Sequence, residues 1–207
     1  MASLDLRPVP VTTSPVRRLP QLLGGLWLYG VSMALLIRSG LGLDPWDVLH
    51  EALSERTGLT FGTITAITGV VVLLGWIPLR QRPGIGTVAN ILVIAVAVDV
   101  TLAVLAPASA LAVRIGFLVA GVVLNGLATA AYIGVRLGPG PRDGLMTGFT
   151  ARTGLSIRLV RTGIELTVLA TGWLLGGTAG VGTVVYALAI GPVTQAFLPL
   201  VAWRMKE

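Results

Sequence analysis

Six apolar runs, separated by short polar or Gly- and Pro-containing segments, set the pattern of this chain. They cover about residues 20–39, 61–79, 86–106, 111–135, 157–175 and 182–203. Each approaches the roughly 20 residues that an α-helix needs to cross the hydrocarbon layer of a bilayer. None shows the strict alternation of a half-buried strand, so the pattern predicts an all-α protein.

The segments between the runs are not independent of one another. Leu41 to Leu59 reads Leu-Gly-Leu-Asp-Pro-Trp-Asp-Val-Leu-His-Glu-Ala-Leu-Ser-Glu-Arg-Thr-Gly-Leu, and 96 residues later Leu137 to Leu155 repeats 9 of its 19 positions without a gap. The shared residues include Gly42/Gly138, Pro45/Pro141, Asp47/Asp143 and the closing Arg-Thr-Gly-Leu. The same offset carries Gly84-Ile85-Gly86-Thr87-Val88 onto Gly180-Val181-Gly182-Thr183-Val184, and Gly25, Gly30 and Ala34 onto Gly121, Gly126 and Ala130. The chain is thus read as a tail (1–20), a first repeat of three spans (21–106) and a second of three spans (111–203). Because three is odd, the second repeat enters the membrane from the opposite side, which makes the two copies inverted.

Composition agrees with a membrane setting. The chain has 207 residues, of which 54% are hydrophobic and 12% charged, and its mean hydropathy of +0.87 leaves too little polar surface to coat a soluble globule. The net charge of +6 does not point to nucleic acid, since the basic residues are scattered at the ends of apolar runs rather than clustered with aromatics. With the N-terminus inside, most of them fall on the cytoplasmic side, whereas the outer segments hold Arg38, Arg56 and Arg114 against Asp44, Asp47, Glu51 and Glu55. The positive-inside rule therefore predicts a multi-pass protein of the bacterial inner membrane with both termini cytoplasmic. Trp46, Trp76, Trp173 and Trp203 fall near span ends and are expected as interfacial anchors. The Pro-rich first 20 residues are expected to be a disordered cytoplasmic tail. The chain has no Cys, which removes disulfides and thiolate chemistry.

Each repeated segment predicts a short helix. Pro at the first helical position, Asp44 or Gly140 before it, and Gly58 or Gly154 after it are start and stop signals. About 13 residues span only roughly 20 Å, too little to cross, so the helix either lies on the interface or re-enters. In the first copy Val48, Leu49, Ala52 and Leu53 form an apolar stripe opposite His50, Glu51, Ser54 and Glu55, as in an interfacial helix, which would leave His50 solvated. In the second, Gly144 and Gly148 offer a small face against another helix.

The paired Gly-x-x-Pro-x-Asp segments, each closed by Arg-Thr-Gly-Leu, and the later Gly-x-Gly-Thr turns resemble the YczE/YyaS/YitT group of bacterial integral membrane proteins. The resemblance covers about residues 20–203, and the second copy departs from the first with Arg142 and Gly144 for Trp46 and Val48. It implies fold and location and hands over no substrate.

Candidate binding residues follow from what a membrane makes costly. Asp99 lies deep in the third span and Gln195 is its repeat mate; Glu165 lies within the fifth, a turn after Arg161, with which it could form a structural bridge. Asn125 could line a polar path or join helices by hydrogen bonds. Asp47 and Asp143 either complete helix caps or bind solute or cations where broken helices converge between inverted repeats. The Gly84-x-Gly86-Thr87 turns lack the Lys of a phosphate loop and are read as span starts. No metal cluster, cofactor fingerprint or nucleophile with its base is present, so an enzyme is not expected. The reading is a transporter of a small molecule or ion, with a homo-oligomer or an energy-coupling partner left open. The alternative is a non-transporting membrane subunit, either a substrate-capture component or a scaffold.

Overall fold

The computed structural model describes residues 8–203, and its described residues form eight helices and no strand. They are α1 (Pro15–Ser39), α2 (Pro45–Thr57), α3 (Phe61–Leu79), α4 (Ile85–Val104), α5 (Leu111–Gly134), α6 (Pro141–Thr153), α7 (Ile157–Leu174) and α8 (Val181–Val201). The starts of α1 to α4 recur 96 residues later as the starts of α5 to α8, from Pro15 to Leu111, Pro45 to Pro141, Phe61 to Ile157 and Ile85 to Val181.

Two long helices, α1 and α5, pack on each other at the centre, with α4 against α1 and α8 against α5. They run antiparallel, because each donates an arginine from its first turns to the end of the other. Arg18 Nε donates to the Val135 carbonyl at 2.8 Å and Arg114 Nε to the Ser39 carbonyl at 2.7 Å. Their terminal nitrogens reach the next carbonyls, Arg136 at 3.2 Å and Gly40 at 2.6 Å. These are the last carbonyls of each helix, which have no partner within it, and a cation there also suits the helix dipole. Gly30 and Gly126, also repeat mates, are where α4 and α8 press closest: a Cβ would come 2.6 Å from Ala97 Cβ in one case and 2.5 Å from Val193 Cγ1 in the other. Small residues at such crossings are how helices gain contact in lipid, where no hydrophobic driving force separates a helix from the tails around it.

The short helices exchange partners, with α2 packing on α7 and α6 on α3. Their shared ending explains the repeated Arg-Thr-Gly-Leu. Gly58 and Gly154 hold the left-handed stop at φ 73° and 72°, while Arg56 Nε donates to the Leu175 carbonyl and Arg152 to the Pro78 carbonyl, at the ends of α7 and α3. The Gly-x-Gly-Thr turns are span starts, as read: Thr87 and Thr183 accept from the backbone N–H of Gly84 and Gly180. Gly86 and Gly182 then bond the carbonyls of Leu137 and Leu41, which ties the start of each such helix to the segment entering a short helix.

Five helices, α1, α3, α4, α5 and α8, are long and apolar enough to cross a membrane; the remaining apolar run forms the 18-residue α7, which carries Arg158, Arg161 and Glu165. Other expectations are corrected. Residues 8–20 are not a loose tail, since α1 begins at Pro15 and Arg18 is fully buried beneath the carbonyls of Val9, Pro10 and Thr13; the expectation for residues 1–7 falls outside the described residues. Trp46, Trp76 and Trp203 are buried, at 6%, 1% and 7% exposure, so among the four expected anchors only Trp173 is open to the surroundings. The outward faces of α3, α4, α7 and α8 instead carry exposed Val70, Leu74, Leu92, Val96, Leu166, Leu174, Leu188 and Leu200. So large an apolar exterior marks a surface made for lipid.

Candidate functional site

The starts of α2 and α6 meet at one cavity of about 280 Å³. Asp44, Pro45, Trp46 and His50 line it from the first copy, Gly140, Pro141, Arg142 and Asp143 from the second. Tyr29, Asn90, Tyr132 and Tyr186 contribute from the long helices, and Arg161, Glu165 and Gln195 from α7 and α8.

The α2 start is capped as its sequence requires: Asp44 Oδ1 accepts from the N–H groups of Trp46 and Asp47 at 2.8 and 2.9 Å. Asp47 is therefore free of the capping role it was offered. Its Oδ1 lies 3.1 Å from His50 Nδ1 and 3.4 Å from Arg142. Arg142 also stands 3.5 Å from Asp44 and 5.0 Å above the Trp46 ring. One guanidinium from the second copy is thus shared by two carboxylates of the first while resting on the indole of its own repeat mate.

Electrostatics follow from that burial. Asp44 is pushed up to about 6 by desolvation and then by Asp47 beside it, against the pull of Arg142. Asp47 is pushed up to about 6 by desolvation, with Arg142 again opposing. For Arg142 burial works against the charge, but Asp44, Tyr29 and Asp47 together hold its value above the ordinary one. His50 is driven down to about 3 by burial and by Arg142, so it is neutral. A neutral imidazole beside a carboxylate carries its proton on Nδ1, which leaves Nε2 as an acceptor.

His50, like Asp44 and Arg142, is a site residue that the sequence reading missed. It is 1% exposed rather than solvated, packs edge-on against Phe61 and lines the cavity. Its position three residues after Asp47 on a helix was the signal available, because i and i+3 share a face.

The other expected site residues divide. Asp143 lines the cavity and accepts from the Tyr132 hydroxyl at 2.6 Å. Glu165 makes the foreseen bridge to Arg161 at 2.9 Å and, with Gln195, lines the cavity too. Asn125 is fully buried, donating to Ser32 and accepting from Tyr186, both at 2.9 Å, so it joins α1, α5 and α8 and positions Tyr186 at the wall. Asp99 is not among the cavity residues. Its carboxylate takes the Thr60 hydroxyl at 2.6 Å and the Gly62 N–H at 2.7 Å, which ties α4 to the first turn of α3. Among the described residues no group of His, Asp and Glu is arranged to hold a metal ion.

An all-helical chain with five bilayer-length apolar helices, an apolar exterior and a polar cavity within is a multi-pass membrane protein. It belongs to the family described as "Family of unknown function (DUF6198)", whose model matches residues 16–199. It is 42% identical over 190 residues to an "Uncharacterized protein" of Haemophilus influenzae, covering 92% of this chain and 87% of that one. It is 36% identical over 173 residues to the "Uncharacterized membrane protein YczE" of Bacillus subtilis, covering 83% and 80%. Against "Uncharacterized protein YyaS" of the same organism the identity is 27% over 181 residues, covering 86% and 90%. The expected resemblance to the YczE group is thereby met. No solved structure matches the chain.

Proposed function

We propose that the protein transports a small solute across the bacterial inner membrane, with the cavity at the α2 and α6 starts as its binding site. The carrying observation is that repeat mates line one polar cavity from opposite halves of the chain, as Pro45 with Pro141 and Trp46 with Arg142 do. In this reading α7 is a sixth crossing. Its charges are accommodated because Arg161 and Glu165 pair with each other and face the cavity. The antiparallel α1 and α5, the 96-residue spacing of helix starts and the exchanged packing of α2 and α6 support two inverted repeats. The short helices then re-enter with their starts sunk and their ends at the two surfaces, since Pro45 to Val48 are buried while Glu55 to Thr57 are exposed. Both termini are cytoplasmic in this arrangement, which the charge distribution favours.

Transport requires that the cavity open to each side in turn, and the absence of Cys makes this directly measurable. Single cysteines at Thr68 and Thr194, both on the cavity wall, should react with membrane-impermeant thiol reagents from either face. Reaction from one face only at both positions would reject transport in favour of a capture subunit. Cysteines at Glu55 and Ala151 should label from opposite faces, and labelling from the same face would reject the inverted arrangement.

A further inference from the structure

The chemistry of the cavity names a class of solute. Asp44, Asp143 and Glu165 line it, and Asp47 lies 3.4 Å from Arg142; the basic residues on the wall are Arg142 and Arg161. Three carboxylates on the wall and a fourth beside it therefore stand against two guanidiniums, with His50 neutral, and both guanidiniums are already engaged. Arg142 stands between Asp44 and Asp47, and Arg161 holds Glu165. Asp143 meets the Tyr132 hydroxyl and, among the described residues, no cation within ion-pair distance.

A second observation is independent of charge. Asp44 is 1% exposed and its Oδ2 has no hydrogen-bond partner among the described residues; His50, also 1% exposed, leaves Nε2 without one, and against these two acceptors the wall holds one bare donor, the Trp46 indole N–H. Both acceptor residues line the cavity. Buried acceptors left bare are costly, and a carboxylate oxygen more than most, so a wall that keeps them is made for a donor. Trp46, Tyr29, Tyr132 and Tyr186 add aromatic rings around the same space, the surface that best receives a cation stripped of water.

We propose that the solute is a small organic cation bearing a protonated amine or guanidinium, held by Asp44 and Asp143 among these rings. This rests on the reading of the cavity as the solute site. An anion finds no free guanidinium, because Arg142 is shared by two carboxylates and Arg161 holds Glu165; the donors left to it are the neutral Trp46 indole N–H and the backbone at the uncapped start of α6. A cavity of about 280 Å³ suits a small solute.

The test uses the purified full chain in lipid nanodiscs, with thermal shift and calorimetry. The probes are n-butylammonium and n-butylguanidinium, compared with butyrate, 1-butanol and the chlorides of sodium and potassium. At least one organic cation should raise the melting temperature at concentrations where butyrate, butanol and the alkali salts do not. Asp143→Asn, which keeps an acceptor for Tyr132, should weaken that binding by about tenfold or more, as should Asp44→Asn. Unliganded melting of each variant shows whether it is folded, and Arg152→Gln, far from the wall, should bind as the native chain does. Preference for butyrate, an effect reproduced by alkali ions alone, no binding of either organic cation, or binding unchanged in the Asp44→Asn/Asp143→Asn double variant overturns the proposal. Two-sided cysteine labelling is independent of any ligand, so it can stand while the solute class fails.

Discussion

The starts of α2 and α6 share one backbone plan and differ in the side chains they aim at each other. Asp44-Pro45-Trp46-Asp47 supplies an indole and two carboxylates, one of them the cap; Gly140-Pro141-Arg142-Asp143 supplies a guanidinium and one carboxylate, with no capping side chain. The reason lies in where the two meet. Trp46 and Arg142 are equivalent positions in contact with one another, so keeping them identical would set a residue against itself. Two arginines would repel, and two tryptophans would leave Asp44 and Asp47 buried without a cation. Away from that contact the copies stay alike: Arg18 and Arg114 perform the same clamp, and Arg56 and Arg152 the same cap. Volume is exchanged in the same spirit. Trp76 of α3 lies over Gly144 of α6, where a Cβ would come within 2.6 Å of three atoms of its ring. At the equivalent crossing Gly172 of α7 faces the backbone of Val48 and Leu49.

The largest expected effect comes from breaking the asymmetric charge. Arg142→Met should destabilise the protein by about 3–5 kcal/mol in a thermal or denaturant melt, because two buried carboxylates lose their counter-charge. Adding Asp47→Asn should recover part of that loss, and a strictly additive double variant would show that the three groups do not act together.

A pH titration of stability sharpens the same contrast. Asp44 and Asp47 have folded values raised from 3.8 to about 6, so each contributes stability that is present below 3.8 and lost as pH rises through about 6. His50, lowered from 6.5 to about 3, contributes stability that is present above 6.5 and lost as pH falls toward 3. Between about pH 4 and 6 the folded site binds two extra protons and lacks one, and stability should rise on acidification by roughly 1.4 kcal/mol per pH unit from these groups. In Asp47→Asn the remaining carboxyl and His50 nearly cancel, and the slope should flatten. An unchanged slope in that variant would remove Asp47 from the titrating set.

Gly144→Ala should cost about 1–3 kcal/mol by forcing the Trp76 ring, whose Nε1 donates to the Pro141 carbonyl at 3.0 Å, out of place. A native-like melting temperature for this variant would mean that the ring is not fixed by the crossing. The smallest effect is expected at the cavity's outer pair. Glu165→Gln should change stability by less than about 1 kcal/mol, since Arg161 is half exposed and pairs of that kind contribute little. A larger loss would place that pair among the structural contacts.

The repeated segment makes much of this legible in the sequence alone. Pro45 and Pro141 as starts, Gly58 and Gly154 as stops, and the Thr87 and Thr183 turns are local rules of backbone geometry, and α2, α6, α4 and α8 obey them. The 54% apolar content and the bilayer-length runs determined that the exterior faces lipid. What the sequence could not supply was partnership across distance. Asp99 and Asp143 looked alike as carboxylates of a membrane chain, but α3 closes on the first to fix a helix start, while α5 delivers Tyr132 to the second beside a cavity. An interfacial α2 would leave His50 solvated; α2 instead sinks its start among α3, α6 and α7, and desolvation keeps the imidazole neutral. Local propensity is written within a few residues of where it acts. Burial and charge pairing at this site depend on residues about 95 positions apart, as Asp47 and Arg142 are, and only the tertiary structure brings these together.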